Sequence, residues 1–133
     1  MKITTTYLSD YEYKSTTENG HEVIIDMKQE GKSFQSPMEL LLSALSGCVA
    51  VEIALMIQKK RRKLNNLEVE ALGKRRATDP KGFTKIELHF ILDSPDAQIE
   101  ELEKVAALAL DKYCSVAESL KASIGHRCSI TKS

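Results

Sequence analysis

The chain carries no net charge, because 19 lysines and arginines balance 19 aspartates and glutamates. Nucleic acid and anionic membrane surfaces select a basic excess, so neither is an expected partner. Aromatic residues are only 5% of the chain. The one basic run, KKRRK at 59–63, therefore has no aromatic platform beside it and reads as the solvated end of a helix. Cysteine is scarce as well: three, an odd number with no close spacing. That excludes the disulfide framework of a small secreted domain and fits a reducing cytoplasm. The first ten residues, MKITTTYLSD, lack the apolar run of a signal peptide. Internal repeats, low-complexity stretches and a glycine-rich phosphate loop are all missing.

What remains is a globular composition, 42% hydrophobic and 29% charged. At 133 residues it predicts one domain spanning 1–133. Residues 38–57 (MELLLSALSGCVAVEIALMI) approach the length of a membrane span. Glu39 and Glu52 inside them are costly in lipid, so a core helix is the expectation and a membrane is not.

Residues 2–7 and 21–27 are β-rich, and Asn19-Gly20 between them is a hairpin turn signal, so a three-stranded N-terminal meander is predicted. Residues 28–35 read as a polar loop. Ser36-Pro37-Met38-Glu39 then combines an N-cap serine, a proline at the first helical position and a glutamate at the third. Nothing breaks this helix before Leu64-Asn65-Asn66. It is apolar nearly all round, so a single small sheet covers only one side of it. About 24 residues span ~36 Å, roughly the width of the whole domain. The uncovered face predicts an obligate homodimer with this helix at its centre.

Residues 67–77 and 83–92 read as a hairpin around Asp79-Pro80-Lys81-Gly82. A second helix is predicted from Ser94-Pro95-Asp96 to Tyr113. A short one follows, capped by Ser115 and running to about Ala122, and 124–131 closes as a strand. The fold class is α+β: antiparallel sheets around a long buried central helix.

Two cysteines stand out. Cys48 lies midway along the apolar helix beside Gly47, a residue that costs a helix interior roughly 1 kcal/mol. Its plainest reading is a small core hydrophobe. Cys114 sits between two predicted helices, where a helix N-terminus favours a thiolate and Glu118 opposes one. Nothing local says that the two meet. Cys128 alternates with isoleucines as core. A zinc site from Cys48, Cys114, Cys128 and His126 lacks the usual close ligand pairs, His126 with Cys128 excepted. His21, His89 and His126 lie in predicted strands with no legible Ser/His/Asp spacing. No cofactor or metal is called for.

The layout of Ser36-Pro37-Met38-Glu39-Leu40, Ser46-Gly47-Cys48 and Lys112-Tyr113-Cys114-Ser115-Val116-Ala117 resembles the OsmC/Ohr family, over nearly the whole chain. The resemblance implies an intertwined homodimer with two sites at its interface. It also implies that Cys48 is peroxidatic and Cys114 resolving, with an external dithiol restoring the pair. Family peroxidases place a glutamate directly after the proline, where this chain has Met38. Glu39 is one residue on, about 100° around the helix. They also use an upstream arginine, and the matching position here is Lys28. Lys28 and Arg127 are the candidate thiolate-stabilising cations. The leading expectation is a cytoplasmic thiol-dependent reductase of organic hydroperoxides with an apolar substrate. The alternatives are a non-catalytic module binding a small apolar or acyl ligand, and a thiol redox sensor.

Overall fold

The computed structural model describes all residues, 1–133. It divides into two compact units, Met1–Leu41 and Leu42–Ser133.

The first unit holds strands β1 (Ile3–Ser9), β2 (Glu12–Thr17) and β3 (Glu22–Asp26), an antiparallel sheet in that order. Gly20 takes φ 89° at the β2–β3 turn, a conformation open to glycine at little steric cost. Tyr7 and Tyr13 pair across β1 and β2 with their rings edge to face, centroids 5.7 Å apart. Asp26 is fully buried and pins the following loop. Its carboxylate accepts the backbone N–H groups of Lys28 and Ser33, each at 2.9 Å. Burial pushes the Asp26 pKa up, but these bonds and the Lys28 ammonium outweigh it and hold the carboxyl below its ordinary value.

The predicted capping box is formed. Ser36 Oγ accepts the Glu39 N–H at 3.2 Å, and Glu39 Oε1 accepts the Ser36 N–H at 2.9 Å. Lys32 pairs with the same carboxylate. The Lys32 contact first, then the Ser36 bonds, lower the Glu39 pKa to about 2.

Helix α1 runs Pro37–Lys59, shorter than the expected continuation to Leu64. Arg61 stops it by entering the left-handed region at φ 62°. The Arg61 N–H bonds to the Gln58 carbonyl and the Arg62 N–H to that of Ile57, a Schellman motif with arginine where glycine is usual. The basic run is then tied down rather than free. Arg62 Nε donates to both Glu101 oxygens at 3.1 and 3.2 Å, and the Lys63 N–H donates to Asp96 at 2.9 Å.

In the second unit, β4 (Asn66–Arg75) and β5 (Phe83–Asp93) form the expected hairpin. Next come α2 (Ile99–Leu108), a π-helical turn over Ala109–Tyr113, α3 (Ser115–Glu118) and β6 (Ser123–Thr131). β6 lies parallel to β5, so the helices between them form a crossover, which the alternation pattern does not encode. α2 starts four residues later than expected, capped by Gln98 and not Ser94. The buried Ser94 hydroxyl accepts the Ala97 N–H at 3.0 Å, but the helix itself begins only after Gln98, which forms the capping box with Glu101.

The core lies on one face of this sheet. Leu45, Val49, Ile53 and Ile57 of α1 meet Ile86, Leu88, Phe90 and Leu92 of β5 and Leu102, Val105 and Ala106 of α2. Spacing by four on the helix and by two on the strand is what two packed elements require. Gly73 on β4 makes room for the Phe83 ring, which a Cβ there would overlap.

Candidate functional site

Two helical segments of the second unit bring Cys48 and Cys114 together. Cys48 is on α1, one residue before the buried Val49. Cys114 is placed by the π-helical turn: its N–H bonds five residues back to the Ala109 carbonyl at 2.9 Å, and its own backbone is extended. Such turns recur at functional sites because the extra residue re-aims the side chains beyond it. Cys114, not Ser115 as expected, is therefore the N-cap of α3. Its Sγ accepts the Ala117 N–H at 3.3 Å.

Both thiols are free, and they lie close enough that Cys48 affects the ionisation of Cys114. Cys114 is 4% exposed. Burial first, and then the neighbouring Cys48, raise the Cys114 pKa above the ordinary thiol value. Two neighbouring free thiols on separate elements are the components of a redox-active pair. Cys128 is a different case. It is half-buried on β6, and burial with the Glu103 charge pushes its pKa to about 11, which suits the core role read from sequence.

The two candidate cations are elsewhere engaged. Lys28, in the first unit, pairs with Glu12 at 3.3 Å and Asp26 at 3.7 Å. Arg127 lies on the face of its sheet turned away from the core, since its neighbour Cys128 packs inward. There it lines a cavity with Glu70, Leu72, Glu87 and His89. Within one chain it does not approach the thiol pair.

Sequence reading missed that face. It carries a chain of contacts from Glu70 through His89 to Ser129, on three neighbouring strands. The only advance signal was the alternation that puts His89 on the polar side of β5.

An apolar groove between α1 and α2 is the other unassigned feature. Leu55, Met56, Val105 and Leu108 line it together with Glu52, Lys59, Lys60 and Lys104, and its volume is about 580 Å³.

Residues 30–129 match the family model described as OsmC-like protein. The chain belongs to the OsmC-like family. Protein YhfA of Escherichia coli (strain K12) is 35% identical over 106 residues, covering 80% of this chain and 78% of its own length. The crystal structure of a hypothetical protein from Aquifex aeolicus VF5 superposes with TM-score 0.88 at 25% identity, covering 99% and 96% of the two chains. An organic hydroperoxide resistance protein from Elizabethkingia anophelis shares the fold, with TM-score 0.65 at 18% identity over 100% and 97%. The expected OsmC-like α+β fold is thus the observed one. α1 is long and apolar enough by composition to cross a membrane, but in this fold its Leu45, Val49, Ile53 and Ile57 are core.

Proposed function

We propose that this OsmC-like protein is a thiol-dependent reductase of organic hydroperoxides. The carrying observation is the neighbouring pair of free thiols, Cys48 and Cys114, on two elements far apart in sequence. Cys48 thiolate attacks the distal peroxide oxygen, the O–O bond breaks, and an alcohol leaves. Cys48 becomes a sulfenic acid, and Cys114 condenses with it, releasing water and forming a disulfide. An external dithiol then returns both thiols. Cys48 packs against the apolar core cluster, which favours an apolar peroxide. The reading implies a cytoplasmic protein.

We further propose that the working form is a homodimer. α1 exposes a stripe of Leu41, Ala44, Gly47, Val51 and Leu55, with Val51 58% and Leu55 59% exposed. Nothing in the chain lies within 4 Å of a Cβ built on Gly47, so its helix cost has no reason inside one chain. A partner helix crossing there supplies one.

Cys48→Ser is expected to abolish cumene hydroperoxide consumption with dithiothreitol as reductant. Turnover unchanged by that substitution contradicts the reading.

The groove between α1 and α2 favours a second reading, a non-catalytic module that binds a small apolar or acyl ligand. Native mass spectrometry of freshly purified protein would then show a co-purified ligand. Protein that is empty and turns over peroxide counts against it.

A further inference from the structure

The outer face of the second sheet holds three side chains in a functional order. His89 on β5 lies between Glu70 on β4 and Ser129 on β6. Its Nδ1 is 3.2 Å from Glu70 Oε1, and its Nε2 is 2.6 Å from Ser129 Oγ. The partners fix the tautomer. An ionised carboxylate only accepts, so Nδ1 carries the hydrogen. In the neutral ring Nε2 then has only a lone pair, and the Ser129 hydroxyl must donate to it. A base oriented by an acid and bonded to a hydroxyl is the arrangement that activates a serine nucleophile, whatever the fold or chain order.

The surroundings fit that use. The imidazole is largely covered, its side chain 15% exposed, which limits competition by water for Nε2. Beside it lies a cavity of about 340 Å³ lined by Glu70, Leu72, Glu87, His89 and Arg127; Ser129 does not line it and adjoins it through the His89 ring. Leu72 projects from the sheet at 75% exposure and offers an apolar contact. Arg127 stands two residues before Ser129 and so on the same face of β6. Its guanidinium is the cation available to a developing oxyanion.

We propose that Glu70, His89 and Ser129 form a second site, independent of the thiols, for acyl transfer from small esters with short apolar acyl groups. Ser129 Oγ bonds to the ester carbonyl carbon while its proton passes to His89 Nε2. The ester C–O bond then breaks, and the departing alkoxide takes that proton and leaves as the alcohol. Water, deprotonated by the same nitrogen, hydrolyses the acyl-serine and returns the site to its starting state.

The test uses a fluorophosphonate, which phosphonylates activated serines with loss of fluoride. Trypsin cuts after Arg127 and Lys132, so Ser129 falls in the peptide 128–132. Wild-type protein is expected to carry the adduct on that peptide. His89→Gln should slow labelling at least about 100-fold, as loss of a general base does, and Ser129→Ala should remove it. Cys48→Ser should label like wild type, so this result is separate from the fate of the peroxidase reading. p-Nitrophenyl butyrate hydrolysis should fall in Ser129→Ala while hydroperoxide reduction stays unchanged. Wild-type protein left unlabelled, under conditions that label a serine esterase, overturns the proposal. So does ester hydrolysis equal in wild type and Ser129→Ala.

Discussion

Replacing Gly73 by alanine should change sign with its neighbour. Gly73 is in the interior of β4, and its φ lies outside the left-handed region that favours glycine, so an alanine backbone is allowed there. Alone, exchanging a strand glycine for alanine gains about 0.5–1 kcal/mol of conformational entropy. Here a Cβ would overlap the Phe83 ring, which packs against the core cluster. Overpacking of this kind costs about 1–3 kcal/mol. The net expectation is a loss of about 1–2 kcal/mol for Gly73→Ala, or roughly 0.5–1 M in urea midpoint at an m-value of about 2 kcal/mol/M. In a Phe83→Ala background the obstacle is gone, and the same substitution should stabilise by about 0.5–1 kcal/mol. Equilibrium urea unfolding of the four proteins reads this coupling directly. Gly73→Ala stabilising in both backgrounds would refute the packing argument.

Three further outcomes are expected. Arg61→Gly should stabilise by about 0.5–1 kcal/mol, because glycine enters the left-handed region without the side-chain penalty; a lower melting temperature would contradict the Schellman assignment. Glu39 is held at a pKa of about 2 against an ordinary 4.5, so its contribution to stability is complete above pH 4.5 and fades as pH falls towards 2. Glu39→Gln should flatten the acid limb in that window, and an unchanged pH profile would exclude the cap as its cause. Val51→Glu should convert a dimer to a monomer in sedimentation velocity, since a carboxylate would be buried at the proposed helix crossing; a wild-type chain that sediments as a monomer removes the premise.

Local chemistry was legible where it acts over three or four residues. The Ser36/Glu39 box, the Asn19-Gly20 turn and the alternation of β5 each carry their cause inside a short window, and each is present. Helix ends were less so. KKRRK has good helix propensity, but α1 stops within it because Arg62 and Lys63 bond to Glu101 and Asp96, tens of residues away. Cys114 took the cap expected of Ser115 because a π-helical turn shifts the chain by one residue. The Glu70–His89–Ser129 relay had no sequence spacing to find, because it exists only once β4, β5 and β6 are in register. The pairing of Cys48 with Cys114 came from family resemblance, not from local pattern. Its geometry depends on α1 and the crossover packing on one face of the sheet.

The central claim is that these two thiols react as a pair. Reduced protein would be treated with one equivalent of cumene hydroperoxide, its remaining thiols blocked, and the chain digested without reductant. The account predicts rapid appearance of a peptide cross-linked through Cys48 and Cys114, with Cys128 recovered blocked as a free thiol. Recovery of Cys48 and Cys114 both as free thiols, while a small-molecule thiol in the same tube is oxidised faster, would contradict it.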